Sequence, residues 1–328
     1  MAGEGEAHVR LFEHPDFDQA VIGAVDHFRA RGLRAAIIEK DYYVTEALRI
    51  VALTAGEKAI FKGGTSLSKG WNLIDRFSED IDLFLDPLAF DPALGKKGID
   101  RALRRLRDAV GKHPALSSVP GESQTVGGFG RSDRFSYESR FGGPGEVANR
   151  VLLESGTASG REPTVEITLR SFLAEFLHDT GRSLGAEDEA GFSMRLLHFR
   201  RTFVEKLFAI HGKVEILKRD GRPIGGYARH YYDLYRLAET PEVRAMLRSD
   251  EYGAIKQDYD RISRESFSRD YHPPAEMRFA TSDAFFPDAR LSEALGIEYE
   301  RQCGVLCYGG YPPWTDVQRL FAELRGLL

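Results

Sequence analysis

Phe61-Lys62-Gly63-Gly64-Thr65-Ser66, followed nine residues later by Arg76-Phe77-Ser78-Glu79-Asp80-Ile81-Asp82-Leu83, is the stretch that decides the fold. Strand side chains alternate faces, so Asp80 and Asp82 share one face while Ile81, Leu83 and Leu85 share the other. The apolar face can bury. The acidic face holds two carboxylates about 6–7 Å apart along the backbone. Two like charges held together are unfavourable unless a cation screens them. Hard oxygen ligands at this spacing suit Mg²⁺ or Mn²⁺, which take a few carboxylates together with substrate phosphates. The Gly63-Gly64 turn lets backbone approach a phosphate, and the helix expected after it points N–H groups at the same space. Lys62, Thr65 and Ser66 add further donors there. This is not a Walker loop, because no Gly-rich loop ends in Lys-Ser or Lys-Thr. Taken alone, an Asp-x-Asp is a solvated strand face and a Gly-Gly is a turn; strand, Gly-Gly-Thr-Ser, helix and Asp-x-Asp in series are far more specific.

Outward from this block, hydrophobic periodicity predicts helices over residues 16–52 and a short strand over Lys58–Phe61. A helix follows over Ser66–Asp75 and a strand over Ile81–Leu85. A basic helix carrying Arg101, Arg104, Arg105 and Arg107 occupies residues 99–112. Residues 117–161, rich in Gly, Ser and Arg, read as hairpins or loops, and Thr164–Leu169 alternates as a strand. From about Ser193 onward the helical period dominates. The expected division is therefore 1–175, a nucleotide-handling α/β half with N-terminal helices, and 176–328, a mainly helical lobe. Residues 240–328 carry helices, the Tyr271-His272-Pro273-Pro274 loop and a turn at Gly309–Pro313, but no legible chemistry.

Bulk properties narrow the class. The 328 residues carry a formal net charge of −5, which excludes a globally basic nucleic-acid binder but not a local basic patch. Cys303 and Cys307 are too few for a disulfide framework or a complete zinc site and read as reduced thiols of a cytoplasmic protein. The acidic, polar N-terminus does not resemble a signal peptide, and no apolar run has the length of a membrane span.

At these residues the chain resembles nucleotidyltransferases of the polymerase-β type and, more closely, the AbiEii/AbiGii (MenT-like) nucleotidyltransferase toxins. Glu39-Lys40-Asp41-Tyr42-Tyr43 is similar to the N-terminal block of that family. Lys62–Lys69 with Arg76–Asp82 is similar to its catalytic signature. Glu205-Lys206-Leu207-Phe208-Ala209 and Arg229-His230-Tyr231-Tyr232-Asp233-Leu234-Tyr235 match its later lysine and aspartate blocks. The resemblance covers about residues 38–237. It implies an α+β fold: a polymerase-β-like nucleotidyltransferase core, a mixed sheet with helices, plus a mainly helical C-terminal lobe. It also implies an enzyme moving nucleotides from an NTP, tRNA as acceptor, a cognate antitoxin and a place in phage defence.

The resemblance assigns roles to later residues as well. Lys206 lies beside an apolar helical stripe and would hold the triphosphate as a point charge, with Lys213 two turns on; otherwise both are surface lysines snorkelling past apolar neighbours. Asp233 would be an active-site acid, orienting Lys206 or a water; otherwise it pairs with Arg229 one turn away. Polymerase-β-type enzymes carry a third carboxylate, for which Glu166 is the candidate, against a solvent-facing Glu. By its spacing alone, two residues before Asp80, Ser78 would join the acidic face or serve as a phosphorylation site, against a turn serine. Ten Lys/Arg against four acids between Arg195 and Arg236, with His198, Tyr227 and Tyr231 for stacking, fit a surface tracking RNA or else a solvated face.

The expected reaction places NTP phosphates between Gly63–Ser66 and Lys206, with the metal joining them to Asp80 and Asp82. An acceptor hydroxyl at the 3′ end of tRNA attacks the α-phosphate. A protein or small-molecule acceptor, such as an antibiotic, is the second reading, and a non-catalytic nucleotide- or antitoxin-binding module the third.

Overall fold

The computed structural model describes residues 9–78, 80–126, 129–143, 147–269 and 271–328. In chain order its elements are α1 (Phe17–His27), α2 (Ala35–Ala55), β1 (Ala59–Lys62), α3 (Gly63–Lys69), β2 (Asp80–Leu85) and α4 (Lys96–Val110). Then come β3 (Ser117–Ser118), β4 (Gln124–Val126), β5 (Gly130–Ser136), β6 (Arg150–Gly156), β7 (Thr164–Leu169), α5 (Phe172–Asp179) and β8 (Phe192–Leu197). The rest is helical: α6 (Phe199–Asp220), α7 (Arg229–Ala238), α8 (Pro241–Met246), α9 (Asp250–Ser266), α10 (Ala289–Leu306) and α11 (Trp314–Leu324). The strands form one sheet in the order β3-β5-β6-β2-β1-β8-β7, with β4 paired to β5 off that path. It is mixed: β1 and β8 are parallel, as are β2 and β6, while β3, β4 and β6 each run antiparallel to β5. The fold is the α+β class expected. No helix among the described residues is long and apolar enough to cross a membrane.

Two elements differ from the sequence reading. The helix expected over residues 66–75 starts earlier and stops sooner, at Gly63–Lys69. Asn72 adopts a left-handed backbone (φ 55°), which ends any helical continuation. Residues 192–197, read as the entry to a long helix, form β8 instead. His198 is extended and its ring accepts a hydrogen bond from the Arg200 amide, so α6 begins at Phe199.

The chain divides into two compact units, one of residues 1–61, 79–157 and 166–196, the other of 62–78, 158–165 and 197–328. The chain thus passes between the units several times instead of changing once near residue 175. The first unit contains the sheet, apart from residues at the ends of β1, β7 and β8. Its α2 packs against α1, α4 and α5 and lies on β6, while α4 lies on β5 and β6. The strand face carrying Ile81, Leu83, Phe135, Val151 and Leu153 is buried. The same face buries a two-point ion pair between Arg131 and Asp133 (2.7 and 3.2 Å).

The block Glu39–Tyr43 lies within α2, and its polar groups are structural fasteners. The Glu39 carboxylate accepts from the Ser139 hydroxyl (2.7 Å) and the Arg140 amide (2.7 Å). Lys40 donates to the Ala148 carbonyl (2.8 Å), Asp41 accepts from the Phe172 amide (2.8 Å), and Tyr42 donates to Asp188. Burying these groups is tolerable because each is hydrogen-bonded.

The second unit is built on α6, whose apolar residues Phe203, Leu207, Ile210 and Val214 are fully buried with Tyr231 and Leu234 of α7. Gly221 closes α6 in the left-handed conformation (φ 68°) that glycine adopts without strain.

Candidate active site

In the first unit, β2 carries Asp80 and Asp82 on its half-buried face, because Ile81, Leu83 and Leu85 fill the other. Parallel pairing with β6 sets Asp82 directly opposite Glu154 and Asp80 opposite Leu152. Paired residues of adjacent strands project to the same side, so Asp80, Asp82 and Glu154 share a face. β7, which bears Glu166, is instead the last strand of the sheet, separated from β2 by β1 and β8. There Glu166 is exposed and accepts a short hydrogen bond from the Ser193 hydroxyl. The composition of residues 117–161, which reads as hairpins or loops, does not single out Glu154. Burial alternates along β6, with Val151, Leu153 and Ser155 buried, but Val151-Leu152-Leu153 is a continuous apolar run, so the sequence carries no period-two signal for Glu154.

Among the described residues no three His, Cys, Asp or Glu side chains gather tightly enough to hold a metal ion by themselves. Two carboxylates offering hard oxygen on one strand face nevertheless fit a Mg²⁺ or Mn²⁺ ion that takes its remaining ligands from substrate phosphates and water.

The second unit holds a buried charge cluster at the start of α3. Residues 73–78 lie between α3 and β2, with Arg76 bridged antiparallel to Cys307. The Phe77 amide donates to the Leu306 carbonyl (2.8 Å), Tyr308 donates to the Asp75 carbonyl (3.1 Å), and the Asp75 amide donates to the Tyr232 hydroxyl (2.9 Å). The end of α10 therefore clamps this segment, a role for the C-terminal region that its sequence did not disclose. Held this way, Arg76 (1% exposed) donates through two nitrogens to Asp233 (0% exposed), at 2.6 and 2.7 Å. The second Asp233 oxygen also meets Lys206 Nζ at 2.7 Å, and Lys206 lies 3.0 Å from Nδ1 of His230.

Gly63 takes positive φ (77°), and Gly64 has no room for a side chain: a Cβ there would lie 2.8 Å from Arg76 Nη2 and 3.0 Å from Ser78 Oγ. The two glycines thus have separate reasons, one conformational and one steric.

The electrostatics follow from this packing. Burial by itself would raise the Asp233 carboxyl, but Arg76 and Lys206 outweigh it and hold the group well below the usual carboxylate range. Burial, reinforced by the Lys206 charge, pushes the His230 imidazole down to about 3 despite its Asp233 neighbour. At neutral pH the cluster is two cations, one carboxylate and a neutral histidine, so it keeps one net positive charge. Asp233 belongs to helix α7, but its partners are Arg76 and Lys206, not Arg229.

The other expected contacts sort clearly. Thr65 and Ser66 are buried in the first turn of α3, and the Ser66 hydroxyl donates to the Gly63 carbonyl (2.9 Å). Lys62 is half-buried just before that turn, and Ser78 packs beside Gly64. Lys213 sits 4.5 Å above the ring of Tyr227, a cation–π contact. Of the three stacking candidates, Tyr231 is fully buried and donates to the Ala284 carbonyl (2.6 Å). His198 lies against Trp71 and Phe199 (4.9 and 4.4 Å). Tyr227 remains 40% exposed. Much of the cation excess between residues 195 and 236 is matched by acids: Arg200 by Glu251, Arg201 by Glu205 and Asp258, Lys218 by Glu215 and Asp283, and Arg219 and Arg222 by Asp220.

A mixed sheet flanked by helices is the fold of a nucleotidyltransferase, and that is the class of this protein. The chain belongs to the AbiEii nucleotidyl transferase toxin family of type IV toxin–antitoxin systems, whose model matches residues 47–303. Its fold resembles MenT4, a nucleotidyltransferase toxin from Mycobacterium tuberculosis, at a TM-score of 0.51 and 16% identity, over 93% of this chain and 88% of that one. A candidate nucleotidyltransferase from H. pylori aligns at a TM-score of 0.37 and 16% identity, over 80% of this chain and 96% of that one. No curated protein sequence matches the chain.

Proposed function

We propose that this nucleotidyltransferase is a toxin that moves a nucleotide from an NTP to a hydroxyl of RNA, the 3′ end of tRNA. The observation that carries the nucleotide half of this reading is the shared face of Asp80 and Asp82 on β2. These two residues would hold Mg²⁺ or Mn²⁺, which when bound neutralises phosphate charge. The Gly63–Ser66 turn with Lys62 and Ser78, and the α6 lysines Lys213 and above all Lys206, would receive the triphosphate. Asp233 does not exchange protons in this scheme, because its two cations keep it ionised; it fixes Lys206 in place. The acceptor oxygen forms its bond to the α-phosphorus as the bond to pyrophosphate breaks, and pyrophosphate leaves with that electron pair. The hydroxyl proton passes to a carboxylate of the β2–β6 face, for which Glu154 is better placed than Glu166. As a toxin of a two-component family the protein would be held in check by a cognate antitoxin.

Transfer of label from each of the four α-labelled NTPs to total bacterial tRNA, with Mg²⁺, tests the reading. Label on tRNA with wild type, and none with Asp80→Ala or Asp82→Ala of unchanged fold, is the expected result. Mg²⁺-dependent pyrophosphate release in cell extract without labelled RNA would move the acceptor to a protein or small molecule.

A further inference from the structure

We propose that the outer face of α4 is a docking ridge for the phosphate backbone of a structured RNA. The proposal rests on the RNA-acceptor reading and adds the surface that would hold the body of that acceptor. Helix α4 carries Lys96, Lys97, Arg101, Arg104, Arg105 and Arg107 against only Asp100 and Asp108. Its inner face, Leu103, Leu106 and Val110, is buried, so the helix is fixed and its charges point outward. Arg104 and Arg107 are spoken for by Asp100 (2.9 Å) and Asp108 (2.6 Å). Lys97, Arg101, Arg105 and Lys112 are exposed, and their side chains make no ion pair or hydrogen bond among the described residues.

Lys97, Arg101 and Arg105 follow each other at i, i+4 and i+8, so they form a line with steps of about 6 Å. With Lys112 they line a groove of about 780 Å³ that runs to Thr54 at the end of α2. Two features of this ridge work against helix stability. Like charges stack at i, i+4, and two lysines occupy the first turn, where the helix dipole is already positive. Asp100 and Asp108, which also line the groove, pair with Arg104 and Arg107 and leave the ridge with an excess of positive charge. The whole chain carries a net charge of −5, so the ridge is a local concentration and not a by-product of a basic protein.

A regular line of cations matches a continuous line of phosphates. An acidic protein partner would need an apolar interface core, and the groove lining contains no large apolar side chain. Phosphate contacts of this kind position an RNA without reading its sequence.

Filter binding of total bacterial tRNA to the full chain, with a salt titration, tests this. The triple variant Lys97→Gln, Arg101→Gln, Arg105→Gln is expected to unfold at the wild-type temperature. Its affinity should fall about 10-fold or more, and its salt slope should drop by about 2–3. Equal affinity and slope in the triple variant, no tRNA binding by wild type, or preference for poly-glutamate over tRNA would each overturn the proposal. The acceptor reading fails separately: tRNA bound through the ridge but never labelled leaves the ridge standing and removes the acceptor, while labelling with an unaffected triple variant does the reverse.

Discussion

Arg76 and Asp233, 157 residues apart in sequence, meet as a two-point ion pair with N–O distances of 2.6 and 2.7 Å, and neither side chain is exposed by more than 1%. Asp233 also neutralises Lys206, so a single carboxylate supports two buried cations. Removing it leaves both without their shared partner. Asp233→Ala should cost about 3–5 kcal/mol of stability, as breaking a buried pair from one side does. Urea unfolding measures it, and the Arg76→Ala, Asp233→Ala double variant should lose less than the sum of the two single variants.

Gly64 sits against the same guanidinium. In Gly64→Ala the new methyl would lie 2.8 Å from Arg76 Nη2, so the guanidinium must shift from Asp233. Overpacking of this kind costs about 1–3 kcal/mol, and nucleotide transfer should fall with it. A Gly63→Ala change acts differently, through its positive φ of 77°, and should weaken stability by backbone strain. Thermal unfolding and label transfer measured on both variants separate the two causes.

The β2–β6 register bears on the general base. Glu154→Gln should lower transfer by about 100-fold or more, the range of a lost general base, with little change in unfolding. Glu166→Gln, on the edge strand, should fall much less. The pH–rate profile adds a readout: Glu154→Gln should lose the acidic limb that wild type shows.

Glu46 and His230 give opposite pH dependences of stability. Burial lifts Glu46, opposed by Arg49, from its ordinary 4.5 to about 7. The folded state therefore holds that proton more tightly, so this contribution is fully present below 4.5 and is lost as pH rises through about 7. His230 is pushed from 6.5 to about 3, so its contribution is present above 6.5 and is lost as pH falls through about 3. Glu46→Gln should flatten the decline between those first two values, and His230→Gln the acid-side decline, in urea unfolding repeated across pH.

Local chemistry was legible in the chain itself. Alternation placed Asp80 and Asp82 on one strand face opposite Ile81, Leu83 and Leu85, and helical spacing placed Lys206 beside the stripe Phe203, Leu207 and Ile210. Both depend only on backbone periods of two and 3.6 residues, which operate over a few neighbours. The same logic applied to Phe192–Leu197 would have found β8, had the helical period after it not been extended backward. What the tertiary structure alone decided is which distant groups meet. Strand order set Glu154, not Glu166, beside the aspartates. The clamp of residues 75–77 against 306–308 brought Arg76 to Asp233, and the packing of α6 on α7 brought Lys206 to both Asp233 and His230. Such pairings are selected by burial of the whole core and by the need to satisfy each buried charge, and neither requirement leaves a periodic mark in the sequence.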